Sequence, residues 1–105
     1  MIRDEEIKIM AGKIADNFQP ERIILFGSTA SGRATGESDI DLCVIKNGIK
    51  DKPGEIVKIR KILGNSPWPI DMLIFNSEEF ARRRDIFGTV QYEIDKNGRV
   101  LYERD

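Results

Sequence analysis

The sequence contains no histidine. That absence removes Ser-His-Asp and Cys-His catalysis and every zinc site that needs an imidazole. Cysteine is almost missing too. Cys43 stands alone, so the chain can form neither an internal disulfide nor a cysteine cluster around a metal. No apolar run exceeds four residues, as in Ile23-Ile24-Leu25-Phe26, far short of the roughly 20 needed to cross a bilayer. Nor is there an excess of one charge: 33% of residues are charged, yet the net charge is −1. That balance argues against direct nucleic-acid binding. The opening Met1-Ile2-Arg3-Asp4-Glu5-Glu6 lacks the apolar stretch of a signal peptide, so a cytoplasmic location without membrane attachment is expected. The chemistry must rest on carboxylates, hydroxyls, backbone amides or a bound cation.

What is present is enough for one small domain. The 105 residues, 40% of them hydrophobic, can build a modest core. They show no repeat and no linker, so residues 1–105 are read as a single domain. Ile7, Met10, Ala11, Ile14 and Phe18 recur at helical spacing and predict an amphipathic helix over 4–17, with Asp4 as its cap. Residues 22–26 read as a strand buried on both faces. Residues 28–34 have room for about two helical turns. Asp39–Ile45 alternates, with Ile40, Leu42 and Val44 on one face and Asp39, Asp41, Cys43 and Ile45 on the other. A helix is expected over about 54–63, stopping at Gly64-Asn65, then a strand over Trp68–Phe75. Ser77 is the expected cap of a following helix. A further helix over 88–96 and a short strand from Arg99 to Tyr102 close the chain. The fold class is α/β (α+β), a small mixed sheet flanked by helices.

The informative stretch is Gly27-Ser28-Thr29-Ala30-Ser31-Gly32-Arg33-Ala34-Thr35-Gly36-Glu37-Ser38-Asp39-Ile40-Asp41-Leu42. A buried strand ends in Gly-Ser, where glycine allows close backbone approach and a helix start offers free amides to phosphate. Asp39 and Asp41 lie two apart on a strand and share a face. Two such carboxylates repel unless a cation lies between them, and Mg²⁺ suits hard oxygen ligands and substrate phosphates. A third carboxylate, Asp71, sits early in an otherwise apolar strand, where an unpaired charge is costly. If the three meet, two strand starts must be neighbours. Those strands then run parallel, the helix between them is the crossover, and the Gly27 strand runs antiparallel. Two Mg²⁺ ions could then serve an in-line phosphoryl or nucleotidyl transfer, with Asp71 accepting the proton of the attacking hydroxyl.

This pattern, Gly-Ser, a spacer, then Asp-x-Asp, resembles the signature of the DNA polymerase β-like nucleotidyltransferase superfamily. The forms Gly27-Ser28-x-Ala30-x-Gly32 and Ser38-Asp39-x-Asp41-Leu42 resemble its minimal nucleotidyltransferases in particular. Ile70–Ile74, Glu78–Arg83 and Gly98–Glu103 also look like that group. The resemblance implies that Asp39, Asp41 and Asp71 bind Mg²⁺, two ions in all, and are the catalytic residues. It implies that Gly27 and Ser28 hold the phosphates of ATP. It further implies a partner, a HEPN-domain protein encoded alongside, with which such proteins form a toxin–antitoxin pair and onto which AMP is transferred. Ser31 stands where the family often has arginine.

Two other readings remain open. One is an antitoxin that blocks its partner by contact alone; the other is a nucleotidyltransferase acting on a small molecule such as an antibiotic. Outside the motif, Cys43 reads as a small core residue. Arg82-Arg83-Arg84 reads as a solvated helix face, or else a partner contact. Lys46, Lys50 and Lys52 could steer a triphosphate but read better as a solvated loop. Trp68 reads as a packing residue.

Overall fold

The computed structural model describes residues 4–27, 40–66 and 69–104. Helix α1 spans Asp4–Phe18, strand β1 Arg22–Phe26 and strand β2 Ile40–Lys46. Helix α2 spans Lys52–Leu63, strand β3 Ile70–Asn76 and helix α3 Ser77–Arg83. Helix α4, Val90–Asn97, and strand β4, Arg99–Glu103, follow. Among the described residues the strands form one mixed sheet in the order β3-β2-β1-β4. β1 is antiparallel to β2 and to β4, and β2 is parallel to β3. The expected parallel pair, its crossover helix α2 and the antiparallel Gly27 strand are all present.

The sheet is covered on both faces. On one, α1 and α2 bury Ile7, Ala11, Ile14, Phe18 and Ile59 against Ile23, Leu25, Ile40, Leu42, Val44 and Ile74. On the other, Phe80 of α3 and Ile94 of α4 pack on Ile24, Cys43, Ile45 and Phe75. Ile23–Phe26 of β1 and Leu42–Ile45 of β2 therefore read as continuous apolar runs, because both faces of these segments meet a core. Cys43 is wholly buried, as expected. Desolvation pushes its thiol up to about 12, against the pull of Arg22.

Local chemistry moves three expected boundaries. α2 begins at Lys52, not near 54, because Pro53 is tolerated in a first turn and Asp51 caps the helix by accepting from Gly54 N at 3.1 Å. The start of α3 is capped by Asn76 rather than Ser77. Asn76 N donates to Glu79 Oε1 at 3.3 Å, while its side chain exchanges two hydrogen bonds with the Ile49 backbone. Ser77 is helical, and its hydroxyl donates to the Glu21 carboxylate. Thr89 caps α4, accepting from Tyr92 N at 3.1 Å, so the helix starts at Val90. At the start of α1, the Asp4 carboxylate accepts from Arg99 at 3.2 Å.

Two glycines predict opposite outcomes. Gly12 lies exposed inside α1, and a Cβ there meets nothing within 4 Å. Gly98 joins α4 to β4, where a Cβ would overlap Ile94 O and Ile24 Cγ2 and sit 3.2 Å from Leu25 O. Gly12→Ala should raise the free energy of unfolding by about 0.5–1 kcal/mol through helix propensity. Gly98→Ala should lower it by about 1–3 kcal/mol through overpacking against backbone. Urea denaturation of the two variants checks both signs. The buried thiol adds a pH dependence. Its folded-state value is raised, so its stabilising contribution is whole below the ordinary value of 9.0 and is lost as pH rises toward about 12. Cys43→Ala should flatten the loss of stability between those limits, measured by denaturation at stepped pH.

Candidate active site

The site begins with register. Parallel pairing sets Asp41 of β2 opposite Asp71 of β3, and antiparallel pairing sets Phe26 of β1 opposite Asp41. Phe26, Asp41 and Asp71 thus form a row across three strands, on the face that also carries Ile24, Cys43 and Phe75. Among the described residues, helices α3 and α4 pack on the far half of that face, on Ile24, Cys43, Ile45 and Phe75. Asp41 is half-buried and Asp71 exposed. Neighbouring strands lie about 4.8 Å apart, which sets the two carboxyl-bearing residues side by side across the sheet.

Gly27 completes the described geometry. Its backbone has φ +74°, a left-handed conformation open to glycine at little cost. A Cβ there would also run into the Asp41 carboxylate, with Cγ 3.1 Å away. The end of β1 therefore lies directly against a carboxylate, and only glycine leaves it room. The structure brings together Gly27, Asp41 and Asp71. Ser28, Asp39, Ser31 and the expected helix over 28–34 lie outside the described residues, as does Trp68. Among the described residues no three acidic or thiol side chains converge, so the described part of the predicted carboxylate set is the pair Asp41–Asp71.

The donor chemistry of that pair fits a hard divalent cation. Both ligands are carboxylates, one partly sheltered and one open to solvent, with no thiolate or imidazole to favour a softer metal.

The lysines lie elsewhere. Lys46 ends β2, five residues or roughly 16 Å from Asp41, with Nζ 4.1 Å from the Phe18 ring centroid. Lys52 binds Glu79 at 2.8 Å and holds that carboxyl below its ordinary range. The arginine run divides. Arg82 is exposed and pairs loosely with Glu78 at 3.7 Å, as a solvated helix face does. Arg84 instead binds Asp95 at 2.7 Å and lies over Phe80, tying α3 to α4. Phe26 and Leu73 are apolar residues on the carboxylate face that no motif marks. Counting two residues on from Asp71 would have found Leu73.

Comparison with known proteins follows the same outline. The family model described as a nucleotidyltransferase domain matches residues 7–99. A crystal structure of a candidate nucleotidyltransferase from Sulfolobus solfataricus superposes with a TM-score of 0.65 at 20% identity, covering 95% of this chain and 79% of that one. A crystal structure of a toxin–antitoxin with AMP-PNP superposes with a TM-score of 0.62 at 22% identity, covering 95% and 74%. No curated protein matches the chain in sequence. Among the described residues, no helix is long and apolar enough to cross a membrane.

The contact between Gly27 and Asp41 is testable without any assay of turnover. Gly27→Ala should displace the Asp41 carboxylate and weaken binding of Mn²⁺, used as a spectroscopic probe, by about tenfold or more. Electron paramagnetic resonance titration of free Mn²⁺ measures the change, and circular dichroism checks that the variant folds.

Proposed function

The chain belongs to the nucleotidyltransferase domain family, and we propose that it transfers AMP from ATP, with Mg²⁺, to a hydroxyl of a partner protein. The observation that carries this reading is the Asp41–Asp71 register beside Gly27. The partner protein is the antitoxin's target, a HEPN-type toxin on the resemblance stated above. A structural neighbour that is a toxin–antitoxin with AMP-PNP supports the same direction.

In this reading Asp39, Asp41 and Asp71 hold the Mg²⁺ ions, which supply charge neutralisation on the phosphates. The backbone at Gly27 and the Ser28 hydroxyl donate hydrogen bonds to the β- and γ-phosphates. A carboxylate oxygen of Asp71 accepts the proton of the acceptor hydroxyl. The acceptor oxygen then forms a bond to the α-phosphorus, the bond from that phosphorus to the bridging oxygen breaks, and pyrophosphate leaves. A carboxylate base is what a chain without histidine has available.

The test combines purified protein, Mg²⁺, α-labelled ATP and the protein encoded alongside. Label should appear on the partner and vanish with the Asp39→Asn, Asp41→Asn double variant. Asp71→Asn should lower kcat by about 10²–10⁴ with little change in the KM for ATP. A stable complex that takes no label from any of the four triphosphates would establish a contact-only antitoxin instead. Label on a small hydroxyl compound, with the isolated chain, would establish a small-molecule transferase.

A further inference from the structure

Leu73 on β3 and Val100 on β4 are apolar residues of the carboxylate face that the core leaves exposed, one on each edge strand. Along β3, Ile70, Met72 and Ile74 face the α1/α2 core, while Asp71, Leu73 and Phe75 face the other way. Phe75 is covered by Phe80, with ring centroids 6.1 Å apart. In the next row along the strands, Ile24 is 1% and Cys43 0% exposed, while the edge residues stay open, Leu73 at 36% and Val100 at 47%. The helices that seal that row stop short of both outer members, and of the two only Leu73 lies on the strand that carries Asp71. An exposed leucine there adds little to stability, and it lies beside the candidate base.

The chemistry gives the row a direction. In-line displacement places the attacking and leaving oxygens on opposite sides of phosphorus. The leaving pyrophosphate belongs at Gly27, at the β1 end. The attacking hydroxyl belongs at Asp71, at the β3 end. Among the described residues β3 is an edge strand, so nothing in the sheet lies beyond it. An acceptor therefore enters across β3. The next side chain it meets on that face is Leu73, about 6.5–7 Å along the strand from Asp71.

We propose that Leu73 is a positioning residue for the acceptor: it seats the apolar body that carries the attacking hydroxyl, and so favours such an acceptor over a polyhydroxylated one. This rests on the nucleotidyltransferase reading above. Apolar contact beside the base orients the hydroxyl at low cost, since a single leucine in contact is worth about tenfold in binding.

Two probes with the same reacting group and different bodies test it, benzyl alcohol and glycerol. In methyl-labelled full-length protein, benzyl alcohol in the millimolar range should shift the Leu73 methyl resonances to saturation, and glycerol at equal concentration should not. Leu73 methyls that stay still, or move equally with both probes, overturn the proposal. In the partner-labelling assay, Leu73→Asn should raise the KM for the acceptor about tenfold while the KM for ATP stays unchanged, and Leu73→Met should restore it. Unchanged acceptor KM in Leu73→Asn, with transfer intact, sinks the role of Leu73 alone. Absence of transfer by the unmodified chain sinks the nucleotidyltransferase reading instead, and leaves the resonance experiment to decide the seat.

Discussion

Two like charges held side by side on adjacent strands are the constraint around which this small domain is arranged. A sheet does not place carboxylates in register without opposition, since they gain nothing from each other. The parallel β2–β3 ladder fixes them there because most of its other positions are apolar and buried. Ile40, Leu42, Val44 and Ile74 are locked into one core, and Cys43, Ile45 and Phe75 into the other. A slip of one residue would invert every one of those side chains. The burial of these seven apolar residues thus holds two acidic ones in a position they would not choose.

The same constraint explains why so much topology was legible in the sequence. Requiring Asp41 and Asp71 to meet forces two strands parallel, makes the segment between them a crossover and turns the Gly27 strand the other way. The structure has all three features. Helix positions followed from spacing: Ile7, Ala11, Ile14 and Phe18 are the buried stripe of α1. Family membership over residues 7–99 agrees with what the motif suggested.

Less legible were features decided by contacts between segments distant in sequence. Asn76 is the cap of α3 because it also binds the Ile49 backbone, 27 residues away, and no local pattern announces that. Ser77, an equally good cap on propensity, binds Glu21 instead. Arg82, Arg83 and Arg84 look alike in sequence, yet only Arg84 meets Asp95, because α4 lies on its side of α3. Leu73 sits in the apolar run Met72–Phe75. Its exposure depends on where two helices end, which periodicity within β3 does not encode. Asp39 and Ser28 rest on the motif alone, since they lie outside the described residues.

The crowding of Gly27 against Asp41 also orders the ways in which such a site can decay. Position 27 is restrained twice, by its left-handed backbone and by the carboxylate in front of it. Position 41 is restrained once, by its neighbour, and a smaller side chain there relieves the crowding. A descendant that no longer needs the chemistry can therefore change Asp41 first and keep its fold, while the reverse order meets a collision. Loss at 41 with glycine retained at 27 would mark a chain that has kept the shape of this domain and given up its reaction.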